Sequence, residues 1–298
     1  MKIYPKQFLT KLKKVFASGK FRIGLALGGG GARGLCHIGF LKVFDDLEVK
    51  PSVISGTSIG ALIGGLYCSG LTAEEIEQAF SDLNFFKWSS LLDFSWTSNK
   101  SFIKGQKILE VFKQHVRKDK FEDLEIPLKV VATDFWDRKP LVFNSGDLTQ
   151  AVRASISIPG IFEPVIVDEK VLTDGGAVNP VPYDVIVDDC DYLIAIDVTG
   201  ENSRENKGEK PGFIEVILNS FAIMETTIVN NKIKLIKPDL YIKPKLSRIE
   251  ILDFHKINEI ISDSKQDCQR LEKCLVKYFH LKPKIANKSK NKVLGDSS

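Results

Sequence analysis

The chain has no apolar run of the roughly 18 residues that would suggest a membrane-spanning helix. Its first 20 residues are studded with lysine and contain no continuous apolar block, so they do not read as a secretory signal. Cysteine is sparse. The five residues (Cys36, Cys68, Cys190, Cys268 and Cys274) are odd in number, scattered and without a CxxC pair. That pattern argues against a zinc site and points to free thiols in a reducing compartment. The formal charge of +4 over 298 residues is small, and no nucleic-acid motif occurs, so nucleic acid is not an expected partner. Internal repeats are missing too. The expected location is cytoplasmic, with peripheral contact at the inner face of the membrane as an option.

What remains has the pattern of an α/β domain. An apolar run from Phe21 to Leu27 reads as a strand ending on glycine, and Leu35, Ile38, Leu41, Phe44 and Leu47 then recur at near-helical spacing. A short strand over 52–55, a turn, and a helix from Ile59 to about Gly70 follow. Thr72 with Glu75 three residues on is a capping box that starts another helix. Leu128 to Thr133 and Tyr192 to Val198 read as buried strands, Pro211 to Lys237 as a long helix, and Leu240 to Lys243 as a last short strand. Strands alternating with helices predict a largely parallel sheet. Gly200 to Gly212 reads as a polar surface loop.

The first strand runs into Gly28-Gly29-Gly30-Gly31-Ala32-Arg33-Gly34, and two uses of such a loop compete. Gly29, Gly31 and Gly34 satisfy GxGxxG, the phosphate-binding turn of dinucleotide folds. That use needs an acidic residue at the end of the second strand, where this chain has Ser55-Gly56. The other use is an oxyanion hole, in which successive backbone N–H groups converge at a helix start.

Gly56-Thr57-Ser58-Ile59-Gly60 lies between a strand and a helix, the context in which GxSxG presents a nucleophilic serine. A serine needs a base. Of the four histidines, His37 falls in the helix after the glycine loop and reads as packed, whereas His115, His255 and His280 sit in charged helical stretches. None follows a turn at a strand end, where a triad histidine belongs. The other candidate base is Asp174, in Val171-Leu172-Thr173-Asp174-Gly175-Gly176-Ala177; taken alone, the segment is also an ordinary Asp-Gly turn.

Three motifs in this order, GGGGARG, GTSIG and DGGA, resemble the patatin-like phospholipases, and the bacterial single-domain members most closely. The segment Ala151 to Pro164 (AVRASISIPGIFEP) and Asn179-Pro180-Val181-Pro182 also look like that family, so the resemblance covers about 21–244. It implies a three-layer α/β fold with a mainly parallel central sheet, and a Ser58–Asp174 dyad without histidine. It further implies an oxyanion hole from the N–H groups of Gly29, Gly30 and Gly31, hydrolysis of lipid esters through an acyl-enzyme, and no cofactor or metal. Arg33 matches an arginine of the family motif, with loop support as its expected role. The chain departs at Ile59, where a small residue is commoner.

Residues 1–20 form an expected amphipathic helix, with Phe8, Leu9, Leu12, Val15 and Phe16 on one face among lysines. It would lie either on an anionic membrane or on its own domain. The body runs over 21–245. Residues 246–281 follow a helical repeat interrupted at Ser264, and 282–298 form a lysine-rich tail read as disordered. Aromatic residues crowd 84–102, as either an acyl-chain entrance or core. Two other functional classes stay open at this point: a non-catalytic regulatory protein on the same fold, and a dinucleotide-binding oxidoreductase.

Overall fold

Successive residues of a strand face opposite sides, and in the first strand that alternation sorts the molecule into layers. Strand β1 (Ile23–Leu27) turns Ile23, Leu25 and Leu27 to a large core cluster and Ala26 to a smaller one on the other face. The structure, a computed structural model, describes residues 21–82, 103–200, 210–246 and 248–279. The expected amphipathic helix 1–20, the aromatic segment 84–102, most of the loop 200–212 and the tail 282–298 lie outside the described residues.

The remaining strands are β2 (Val53–Thr57), β3 (Leu128–Asp134), β4 (Lys139–Phe143), β5 (Val165–Val167), β6 (Lys170–Asp174), β7 (Tyr192–Ile196) and β8 (Leu240–Ile242). They pair in the order β5-β6-β3-β2-β1-β7-β8, with β4 also on β3. The pairs β3–β2, β2–β1, β1–β7 and β7–β8 are parallel, as expected for an α/β fold. Strands β4, β5 and β6 join antiparallel. The sequence reading missed β4 and β5 for a physical reason: β4 is mostly exposed and β5 has three residues, so neither shows the buried run of an interior strand.

Helices α1 (His37–Asp46), α2 (Ile59–Cys68), α3 (Ala73–Ser81), α4 (Ile103–His115), α5 (Leu148–Ser155), α6 (Phe213–Leu235), α7 (Ile257–Asp263) and α8 (Lys265–Phe279) complete the described fold. Every residue of α2 is buried, so it forms the centre of the helical layer on the large core. On the opposite face Val229 of α6 and the turn Tyr183–Ile186 close the smaller cluster. These layers match the three-layer expectation. The break at Ser264 separates α7 from α8, and Ile257, Ile260, Leu271 and Leu275 belong to the same core as β1. The helical extension after residue 245 is thus part of the domain rather than an appendage. No disulfide joins any of the five cysteines.

The pairing of β3 determines where strand ends meet. Strand β4 lies along residues 130–134 of β3, so β2 and β6 share its other edge. Strand β2 runs beside 128–131 and β6 comes from the opposite direction beside 132–134, with Thr57 opposite Val131 and Asp174 opposite Ala132. The two strands therefore end against each other. On the far side of β2, Leu27 pairs with Gly56, so the glycine loop leaves β1 next to the same point.

The expected capping box is present: the Glu75 N–H donates to Thr72 Oγ1 at 3.2 Å and the Thr72 N–H to Glu75 Oε2 at 2.9 Å. Thr72→Ala should lower stability by about 1 kcal/mol, read as a reduced urea midpoint with an unchanged slope.

Candidate active site

Ser58 occupies the turn between β2 and α2 with φ 55° and ψ −124°, a backbone conformation that L-residues rarely adopt. Such a residue costs on the order of 1–3 kcal/mol and persists where its surroundings fix it. Three contacts do so here. The Ser58 N–H donates to Ser155 Oγ at 2.8 Å, and the Ser58 carbonyl accepts from Ala61 and Leu62 at 2.9 and 3.1 Å. Ser155, at the end of α5, passes the link on by donating from Oγ to the Val131 carbonyl at 2.6 Å.

The flanking glycines are required by close approach. A Cβ on Gly60 would lie 2.1 Å from the Leu27 carbonyl oxygen, and one on Gly56 would lie 2.6 Å from Ala61 backbone atoms. The first turn of α2 thus rests directly on the end of β1. Ile59, the departure from the family pattern, is buried and fills the space beside Gly34.

Asp174 is 1% exposed at the end of β6. Its N–H donates to the Ser157 carbonyl at 3.0 Å, and its own carbonyl accepts from Thr133 Oγ1 at 2.7 Å, so the main chain is fixed on both sides. Carboxylate Oδ1 accepts from the Gly176 N–H at 2.7 Å. Oδ2 is buried and has no hydrogen-bond partner of normal geometry. Burial pushes the Asp174 acid up to about 7, while the neighbouring Ser58 hydroxyl and the Gly176 amide hold it down.

The glycine loop lies against the serine: a Cβ on Gly29 would stand 3.3 Å from Ser58 Cβ. Its amides are not all available, however. Gly29 N–H donates to the Pro180 carbonyl at 2.8 Å, Gly28 to Ile196 at 3.0 Å, and Ala32 to Ile251 at 2.8 Å. The Gly30 and Gly31 N–H groups have no backbone acceptor among the described residues. Of the expected trio of oxyanion donors, Gly29 thus has its N–H engaged by the Pro180 carbonyl, which ties the loop to the 179–182 segment. Arg33 donates from Nε to the Ile249 carbonyl at 2.8 Å and from Nη1 to Thr199 at 3.5 Å.

His37 is fully buried. Its Nε2 is 2.8 Å from the Gly28 carbonyl, and burial pushes the ring down to about 4, so it stays neutral and donates to the loop. His115 bonds the Val111 carbonyl from its own helix. Neither is hydrogen-bonded to Ser58 or Asp174. Among the described residues no group of His, Cys, Asp and Glu could hold a metal ion, and no helix is long and apolar enough to cross a membrane.

Two side chains of α6 reach this region without having been anticipated. Glu225 is 4% exposed, and its carboxyl oxygen Oε1 lies at Gly176. Lys232, seven residues and two turns further along, bonds the Val181 carbonyl at 2.5 Å, Asp184 Oδ1 at 2.5 Å and also Asn179 Oδ1. The available signal was an isolated acid within the apolar stretch Phe221-Ala222-Ile223-Met224-Glu225.

A strained serine after a central strand, a buried carboxylate brought end-on to it and a glycine loop beside both define an α/β protein with a sharp strand–serine–helix turn. Residues 25–187 match the family model for patatin-like phospholipase, and the chain belongs to that family. It is 35% identical to an uncharacterised NTE family protein of Mycobacterium tuberculosis over 69% of this chain and 57% of that one. It is 34% identical to the neuropathy target esterase sws of Drosophila melanogaster, over 61% of this chain and 13% of that one. With lysophospholipase NTE1 of Kluyveromyces lactis the identity is 26%, over 80% of this chain and 18% of the relative. The chain therefore spans less than two thirds of these relatives. VipD from Legionella pneumophila aligns with a TM-score of 0.48 at 13% identity, over 85% of this chain and 67% of that structure. Likeness at that level bears on neither substrate nor mechanism.

Ser155→Ala would strip the buried Ser58 N–H and the Val131 carbonyl of their partner, and a loss of about 1–3 kcal/mol is expected, measured by denaturant unfolding. Asp174 gives a pH-dependent expectation. The native state holds its proton up to about 7, whereas the unfolded chain releases it in the ordinary carboxylate range, so stability is lost as pH rises between the two. Asp174→Asn abolishes that loss. Its melting temperature relative to the parent should rise between about pH 4 and pH 8, and a pH-independent difference would contradict the raised proton affinity.

Proposed function

We propose that this protein is a lipid acyl hydrolase of the phospholipase A, lysophospholipase or esterase type, in which Ser58 is the nucleophile and Asp174 its base. The observation that supports it most is the meeting of β2 and β6. It brings a strained serine to a buried carboxylate whose proton affinity is about 7 and whose Oδ2 has no other partner. An ordinary aspartate accepts a serine proton poorly; desolvation supplies the needed basicity.

In this reading Ser58 Oγ bonds to the ester carbonyl carbon and its proton passes to Asp174 Oδ2. The carbonyl electron pair moves onto oxygen, where the Gly30 and Gly31 N–H groups and the N-terminal end of α2 stabilise the negative charge. Collapse expels the alcohol, which takes the proton back from Asp174. Water then attacks the acyl-enzyme by the same sequence, releases the fatty acid and restores Ser58. No step uses a metal or cofactor. The dinucleotide reading has less support, because the loop faces Ser58 and β2 still ends without an acidic residue.

Ser58→Ala should remove both hydrolysis of a soluble short-chain ester and covalent labelling by a fluorophosphonate, with the fold retained. Asp174→Asn should lower kcat by several orders of magnitude, whereas replacing His37, His115, His255 or His280 singly should leave measurable turnover. The base works only when ionised, so kcat/KM of the parent should climb with pH through about 7. Labelling at another serine in Ser58→Ala, or a histidine variant as damaged as Asp174→Asn, would overturn the assignment.

A further inference from the structure

The hydrolase mechanism leaves one buried ionisable group beside the reacting pair unused. Glu225 projects from α6 onto the Asp-Gly-Gly turn. A Cβ placed on Gly176 would meet Glu225 Oε1 at 2.1 Å and Asp174 Oδ1 at 3.0 Å, so the two carboxyl oxygens stand no more than 5.1 Å apart. Two nearly buried carboxylates at that separation repel strongly, and one proton is retained between them. The surroundings decide which group keeps it. Asp174 is supported as an anion by the Gly176 amide and the Ser58 hydroxyl. Glu225 receives no hydrogen bond from the described residues.

We propose that Glu225 is a positioning residue that stays protonated beside the ionised Asp174, and that its loss of that proton sets the alkaline limit of turnover. This rests on Ser58 and Asp174 being the reacting pair.

The groups facing Glu225 are Asp174, Asp197 and Arg33. Burial raises its proton affinity most, the Asp174 and Asp197 charges raise it further, and only Arg33 opposes them. Arg33 spends its hydrogen bonds on the Ile249 and Thr199 carbonyls rather than on Glu225. A neutral acid at this place fills the space beside Gly176 without adding charge. Once ionised, it would oppose both the charge on Asp174 and the oxyanion that forms on the substrate.

The test combines a pH profile with infrared spectroscopy. Glutamine keeps the shape without an ionisable proton, so in Glu225→Gln the alkaline fall of kcat/KM should vanish, while the acid limb set by Asp174 stays. Above the Asp174 titration, at about pH 8.5, the parent should show the carbonyl stretch of a protonated acid that Glu225→Gln lacks. That band should fade over the pH range where parent activity falls.

Glu225 would be a structural residue only if the two pH profiles coincide, or if the parent shows no acid band. Should Glu225→Gln not fold, 13C-labelled glutamate in the parent carries the same test, through an isotope-shifted acid band that disappears with activity. Ser58→Ala should retain the band. A band in a protein with no esterase activity would sink the hydrolase reading and the alkaline-limit role together, and leave the protonated Glu225 standing.

Discussion

The strained backbone of Ser58 is the constraint on which the site depends. A residue at φ 55° reverts to an ordinary conformation unless its neighbours prevent it. Here the restraint is steric on one side and polar on the other. The first turn of α2 sits so close to the end of β1 that only hydrogen fits at Gly60, while Ser155 holds the Ser58 amide and is itself tied to β3. Three strands and two helices therefore have to be in place before the serine is presented. Stability and presentation of Ser58 are parts of one packing arrangement.

That arrangement also sets the electrostatics. Bringing β6 end-on to β2 buries Asp174, and the resulting desolvation raises its proton affinity to about 7, the basicity that the proposed role without histidine requires. The opposite layer supplies the complement. Helix α6 spans the far face of the loop with Glu225 at Gly176 and Lys232 across 179–184. A neutral acid and a cation two turns apart on one helix thus bracket the 174–184 segment, and Gly29 is joined to its Pro180.

Much of this was legible in the sequence, and what was not has physical reasons. The parallel strands could be read because they are buried on both faces, and Thr72 and Glu75 marked a helix start by their spacing alone. Ser58 and Asp174 were readable because glycines flank both. The glycine amides were only partly readable: a GGGG run says that the backbone is free to turn, and nothing about which N–H groups are already paired. Glu225 and Lys232 carry no local motif, and the segment around Ser155, although it resembles the family, does not say what Ser155 touches. Their roles come from helices that are distant in sequence and adjacent only in space, and contacts of that kind leave little trace in a single chain's pattern.

The glycine loop is anchored from outside the stretch that marks the family. The family match ends at residue 187, yet Ala32 is bonded to Ile251 and Arg33 to Ile249, in the segment leading to α7. Both acceptors are main-chain carbonyls, so the firmness of the loop depends on the path of the chain at 249–251 and not on which side chains stand there.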